Sequence, residues 1–204
     1  MRSTLGKCLK ITLFLILLLN TNPGAWAQIS ASSYSFSAQS GTFTEITGGT
    51  SVGAVESDED ISGPIPIGFT FSYCGNTYTE VIASSNGFLS FGEPTYAVGW
   101  NDFFSLNDLK PAVFPLWEDM NGDAGEATYT TTGTAPNQVF TFQYKNWKWD
   151  WNAAAPVVSF QVKLYEATGV IEYIYRQESG SISGWSPGAT IGIADGQPIA
   201  TYIT

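Results

Sequence analysis

Apolar and polar residues alternate in short runs along most of the chain, with a period of two. Between Ile67 and Tyr73, the apolar Ile67, Phe69, Phe71 and Tyr73 are separated by Gly68, Thr70 and Ser72. That spacing puts the apolar side chains on one face of a strand. Thr77–Ala83 follows across Gly75-Asn76. Phe88–Phe91 follows Asn86-Gly87, a dipeptide suited to the positive φ of a tight turn. Ala112–Trp117 is short and mostly apolar, and Ala127–Thr131 and Val139–Lys145 flank a turn over 133–137. Val158, Phe160, Val162 and Leu164 share a face and lead through a turn at 166–169 into Val170–Arg176, the clearest hairpin of the chain. Gly169 supplies the left-handed residue that loop needs. Gly188–Ala194 and Ile199–Ile203 flank Asp195-Gly196, and Tyr34–Ile46 reads as two edge strands around Ser40-Gly41. The expected fold is all-β: an antiparallel two-sheet sandwich, jelly-roll-like, of roughly ten short strands. Its first strands lie within 34–46, a Gly-, Asp-, Glu- and Pro-rich loop covers 48–66, and the core runs over 67–204.

One run carries two patterns. Phe140, Phe142 and Tyr144 alternate with Thr141, Gln143 and Lys145 and should point inward. An unbroken strand then places Trp147, Trp149 and Trp151 on the opposite face, separated by Lys148 and Asp150. Three outward indoles form a stacking platform for sugar rings or an anchor for a protein interface. A bulge near Asn146 would instead turn some of them inward. Trp100 and Trp185, in Gly- and Asn/Ser-rich loops, are the residues placed to cover or extend the stripe.

The N-terminus departs from all of this. Arg2, Lys7 and Lys10 precede an unbroken apolar run from Ile11 to Leu19, and a polar stretch then ends in Ala25-Trp26-Ala27. Basic, apolar and small-residue segments in that order describe a secretory signal, cut before Gln28. The run falls short of the roughly 20 apolar residues of a spanning helix, and Cys8 lies on the wrong side of it for lipid attachment. Residues 1–27 are therefore expected to be removed and 28–204 to fold as one domain without membrane insertion. The chain ends at Thr204 directly after its last expected strand, leaving open whether a longer product continues from there.

The signal also changes the charge. The chain has eight basic and eighteen acidic residues and no histidine. Three of the basic residues and none of the acids precede Gln28, so the mature surface is more acidic than the whole-chain value of −10. Such a surface repels nucleic acid and anionic lipid and attracts divalent cations. Cys74 is the one cysteine after the signal, so no intrachain disulfide forms, and a core of this length must hold without one. Cys74 itself reads as a small buried hydrophobe.

Without histidine there is no Ser-His-Asp or Cys-His nucleophile and no histidine-bound zinc site, and no phosphate-binding Gly-Lys-Ser/Thr loop is present. Two placed carboxylates are enough for glycoside hydrolysis, and Glu118-Asp119, Glu80 and Glu172 are the candidates. Asp119, Asn121 and Asp123 sit at alternate positions, as calcium ligands do, but Ala124 and Thr130 occupy the places where an EF-hand needs its glycine and its closing glutamate. A looser oxygen site would draw on Asp58, Glu59 and Asp60. The competing reading of Asn121-Gly122 is an acidic β-turn.

Several segments in order carry a resemblance: Ile65-Pro66-Ile67-Gly68-Phe69-Thr70-Phe71, Cys74-Gly75-Asn76-Thr77-Tyr78-Thr79, Ala83-Ser84-Ser85-Asn86-Gly87-Phe88-Leu89-Ser90-Phe91-Gly92, Pro115-Leu116-Trp117-Glu118-Asp119 and Gly188-Ala189-Thr190-Ile191-Gly192-Ile193. From about Tyr34 onward the chain resembles a β-sandwich module common near the N-terminus of secreted and surface proteins of Bacteroidetes-type bacteria. More distantly it is similar to the nidogen-type extracellular (NIDO) domain. The resemblance implies an extracellular accessory or adhesion module, with no catalytic residues to carry over. The expected function is therefore non-catalytic binding of an extracellular protein or glycan. The alternative is a carbohydrate-binding module using Trp147, Trp149 and Trp151, and a glycosidase ranks behind it.

Overall fold

The structure is a computed structural model. It describes residues 30–92, 94, 96, 99, 101, 106–182 and 188–196. The expected signal, the expected last strand over 199–203, Trp100 and Trp185 lie outside the described residues.

Among the described residues, ten strands form two antiparallel sheets of five. They are β1 Thr50–Ser51, β2 Ile65–Tyr73, β3 Asn76–Ser84, β4 Phe88–Ser90, β5 Ala112–Trp117, β6 Glu126–Thr132, β7 Val139–Trp147, β8 Val158–Tyr165, β9 Ile171–Gln177 and β10 Thr190–Ala194. One sheet runs β1-β6-β7-β8-β9 and the other β10-β5-β4-β3-β2. This is the expected sandwich. Among the described residues the helical content is the single turn Leu106–Leu109 and two short 3-10 turns, and no helix is long and apolar enough to cross a membrane.

The period-two pattern is realised most cleanly in β2, where every odd residue from Ile65 to Tyr73 is buried and every even one exposed. These side chains meet Phe140, Phe142, Tyr144, Phe160, Val162 and Leu164 from the facing sheet in one core. Tyr144 stacks on Phe160 at 4.5 Å between ring centroids. Polar groups cross the core to fix the two sheets together. Tyr144 donates its hydroxyl to the Phe88 carbonyl (3.0 Å), whereas Tyr73 ties strands of its own sheet, donating to the carbonyls of Ala112 and Ala194. Thr131 donates to Ile67 O at 2.7 Å.

The other face of β4 and β5 is also covered, which explains the continuous apolar run there. Phe88, Phe114 and Trp117 form a second cluster closed by Leu109 and Leu106. The expected loop over 48–66 is shorter than its composition implies. It contains β1, the 3-10 turn Gly53–Val55 that drives Val55 fully into the core, and the first residues of β2.

Two expectations are corrected. Residues 34–46 form no strand. Part of this segment lies as an extended strap across the outer face of β7 and β8, and its backbone groups bond to side chains there. Ile46 N donates to Gln143 Oε1 (3.0 Å) and Gln161 Nε2 donates to Thr44 O (2.7 Å). Arg176 holds the strap from the side, with its guanidinium 4.6 Å from the Phe43 ring centre and 2.7 Å from Glu45. Buried glutamines thus take the place of a ladder partner, and Gln143 and Gln161 are almost wholly shielded.

The tryptophan stripe is the second correction. Asn146 adopts φ 58° and the β7–β8 register shifts between Tyr144 and Trp147. A residue in the left-handed region at a bulge breaks the alternation. Trp147 therefore returns to the inner face that Tyr144 occupies, with their rings 5.1 Å apart and edge-on. Trp147 is fully buried and cannot be a surface platform. Trp149 is half-buried against the core, and of the three only Trp151, 49% exposed, points out as the stripe predicted.

Candidate functional site

The segment Ser84-Ser85-Asn86-Gly87 is the hub of one end of the sandwich. All three polar side chains are fully buried, and each is used. Ser84 Oγ accepts the Asn86 amide at 3.1 Å, shaping the β3–β4 turn. Ser85 clamps the incoming loop: its Oγ accepts Asp60 N (3.0 Å) and donates to Asp58 O, while its amide donates to Asp60 O. Its carbonyl takes the Trp147 indole N–H at 2.8 Å. Asn86 Oδ1 accepts Met120 N (2.9 Å) and its Nδ2 donates to Glu59 (3.3 Å). Gly87, at φ 74°, lets the turn press against the Leu116 carbonyl. Four chain segments distant in sequence are thereby held at one place.

That convergence assembles an acidic cluster. Asp58 and Glu59 arrive on the clamped loop, and Asp119 arrives just past β5. One carboxylate oxygen from each lies within 4.8 Å of the others. Oδ1 of Asp58 and Oδ1 of Asp119 are shielded from solvent and take no hydrogen bond from an amide or hydroxyl, and the Asp119 carboxyl is set against that of Glu59. Burial first, then the facing Asp119, pushes the Glu59 carboxyl up to about 7. Asp58 and Asp119 are raised mainly by burial as well. Glu118 stands behind them, 6% exposed and bonded to Asn101 Nδ2 at 2.7 Å. Burial, with Asp150 and Asp119 beside it, takes Glu118 up to about 7.

These shifts have a sign. A carboxyl whose folded value exceeds its unfolded one binds protons preferentially in the folded state. Its contribution is present in mild acid and is lost as pH rises through the folded value. Glu45 behaves oppositely, lowered by its hydrogen bonds to Arg176 and Lys145, so its contribution disappears only as pH falls below the ordinary glutamate range. In chelator the melting temperature is therefore expected to be higher at pH 5 than at pH 8. A thermal-melt series that is flat or rises between those values contradicts this account of Glu59 and Glu118.

The three calcium candidates read from spacing do not converge. Asn121 Oδ1 accepts Asp123 N (2.8 Å) and its Nδ2 donates to Trp151 O (3.2 Å), while Asp123 pairs with Lys148 at 2.8 Å. This is the acidic turn, stabilised by local bonds that compete with ligation. Asp119 alone of the three reaches the cluster, and it meets Asp58 and Glu59 there. Asp60 is exposed and engages Ser85 through its backbone. The remaining carboxylates considered for hydrolysis stand on different sheets: Glu80 is exposed on β3, and Glu172 accepts the Tyr165 hydroxyl at 2.6 Å on β9.

A second feature lies between the edge strands β9 and β10. A groove of about 350 Å³ is lined by Leu116, Trp149, Val158, Tyr175, Ile182 and Ile191 among others. Tyr173 donates to Gly192 O (2.8 Å) and Tyr175 to Pro115 O (2.5 Å), so the two sheets are tied across it by hydroxyls. Trp149 is held by its N–H on Gly188 O at 3.2 Å. Tyr175, Ile182 and Ile191 remain 40%, 54% and 52% exposed. Composition gave no sign of this groove, because its lining comes from six separate segments. Only Trp149 was legible beforehand.

Residues 33–204 match the family model described as NIDO related. No curated protein and no solved structure matches the chain.

Proposed function

The chain belongs to the NIDO-related family, and from that premise we propose that it is an exported, non-catalytic module that binds an extracellular protein or glycan. The groove between β9 and β10 carries the reading. It offers aliphatic side chains and two aromatic rings, Trp149 and Tyr175, on a scaffold tied by hydroxyl bonds. Contiguous exposed apolar side chains of this kind mark recognition surfaces. The basic, apolar and small-residue order of residues 2–27 supports export, with release of a chain starting at Gln28.

A glycan is the second reading, favoured by Trp149 in the groove and the exposed Trp151 two residues on. Flat rings stack on sugar faces. A glycan array and an insoluble-polysaccharide pull-down separate the two. Binding lost in Trp149→Ala or Trp151→Ala selects the glycan. Binding that survives both moves the site elsewhere, and no binding leaves the protein ligand. Turnover of any glycoside, abolished by Glu118→Gln, would overturn the non-catalytic reading.

A further inference from the structure

We propose that Asp58, Glu59 and Asp119 form a calcium site that fastens the loop after Val55 to the end of β5. The inference stands apart from the groove and does not depend on its ligand.

The geometry is that of a cation site. Calcium takes oxygen ligands at roughly 2.4 Å, so oxygens on one ion lie within about 4.8 Å of each other. The three carboxylates meet that limit. Two further observations point to a missing ligand. Oδ1 of Asp58 is sealed from solvent yet accepts no hydrogen bond, and the sealed Asp119 oxygen belongs to a carboxyl set against a second one, Glu59, so that one of the two must hold a proton or both must share a cation. The Asp119 and Glu59 oxygens also converge on one point beside Gly99. A methyl group placed on Gly99 would lie 2.8 Å from both Asp119 Oδ1 and Glu59 Oε1. Glu59 is oriented for this, since Asn86 holds its other oxygen at 3.3 Å.

Charge agrees with geometry. Lys148, the cation that acts on Asp58, is committed to Asp123 at 2.8 Å. Asp150 adds negative charge beside Asp119. Three carboxylates favour a hard divalent ion, whose shell water would complete. Such an ion would join parts of the chain that otherwise repel each other.

The test uses the full chain, stripped with EDTA, and CaCl2 as the probe. Extracellular calcium modules bind at about 0.1–1 mM. At about 10 mM calcium the melting temperature is expected to rise by about 3–10 °C, with a saturable heat in calorimetry. Asp119→Asn keeps the shape and removes one charge. In EDTA it is expected to melt no lower than the native protein, which shows that it folds, and to lose most of the calcium shift. Gly99→Ala, which puts a methyl between two ligands, is expected to lose the shift too. No heat and no shift at about 10 mM calcium would overturn the proposal, as would an undiminished shift in both Asp119→Asn and Asp58→Asn. An equal shift with magnesium at the same concentration would overturn the assignment to calcium.

Discussion

Trp147→Ala is expected to remove about 4–5 kcal/mol of folding free energy, whereas Trp151→Ala should change it by less than about 0.5 kcal/mol. The two residues are four apart in one aromatic run, and the bulge at Asn146 separates their fates. Trp147 is wholly buried, edge-on to Tyr144 and flat against two glycines. A methyl on Gly122 or Gly125 would come within 2.3 and 2.7 Å of its ring. Truncation leaves a cavity the size of an indole that these backbones cannot collapse into. It also strips the Ser85 carbonyl of its donor, a bond of 2.8 Å in the interior. The urea midpoint is the measurement. A midpoint for Trp147→Ala within error of Trp151→Ala would mean that the run is an outward stripe after all. Trp147→Phe should fall between them, because it refills most of the volume but not the hydrogen bond.

Gly87→Ala is the second large effect, at about 3–5 kcal/mol, or a melting temperature about 10 °C lower. Two penalties act together. The residue sits at φ 74°, where any Cβ is strained, and that Cβ would lie 2.2 Å from the Leu116 carbonyl oxygen. The obstacle is backbone near the end of β5, so no side-chain rotation relieves it. The turn must move, and with it the Ser85 and Asn86 bonds that place Asp58, Glu59 and Met120. Gly169→Ala is the control. It has a similar φ of 67°, but its nearest contact is 3.8 Å away, so only the backbone term of about 1 kcal/mol remains. Equal losses at the two glycines would show that close approach to β5 contributes nothing.

Much of the fold was readable beforehand because strand burial obeys a local rule. Ile67, Phe69, Phe71 and Tyr73 face inward for the same reason that their neighbours are small or polar, and Phe140, Phe142 and Tyr144 do likewise. The failures occur where a single backbone choice or a distant partner overrides the period. The strap over 34–46 has β-like composition, yet its partners are the side-chain amides of Gln143 and Gln161, which no pattern within the strap announces. Ser84, Ser85 and Asn86 belong to one of the segments that carry the family resemblance. Their burial, and their role in holding four segments together, could not be read from a motif that looks like an ordinary polar turn.

By itself the sequence determined the sandwich, nearly all of its strands, the tight turn at Gly87, an acidic chain without histidine chemistry, and the likeness to the NIDO domain. The likeness rests on motifs in a fixed order, and all the others on short-range alternation, on turn chemistry or on residue counts. The tertiary structure alone decided which tryptophans are exposed, where the groove lies, and which acids meet. Asp119 was singled out with its neighbours Asn121 and Asp123, but those two are consumed by local bonds. Its true companions, Asp58 and Glu59, which the sequence offered together with Asp60 as a looser oxygen site, are some sixty residues away in the chain. They are brought to it by Ser85 and Asn86, whose buried hydrogen bonds cost too much to leave unmade.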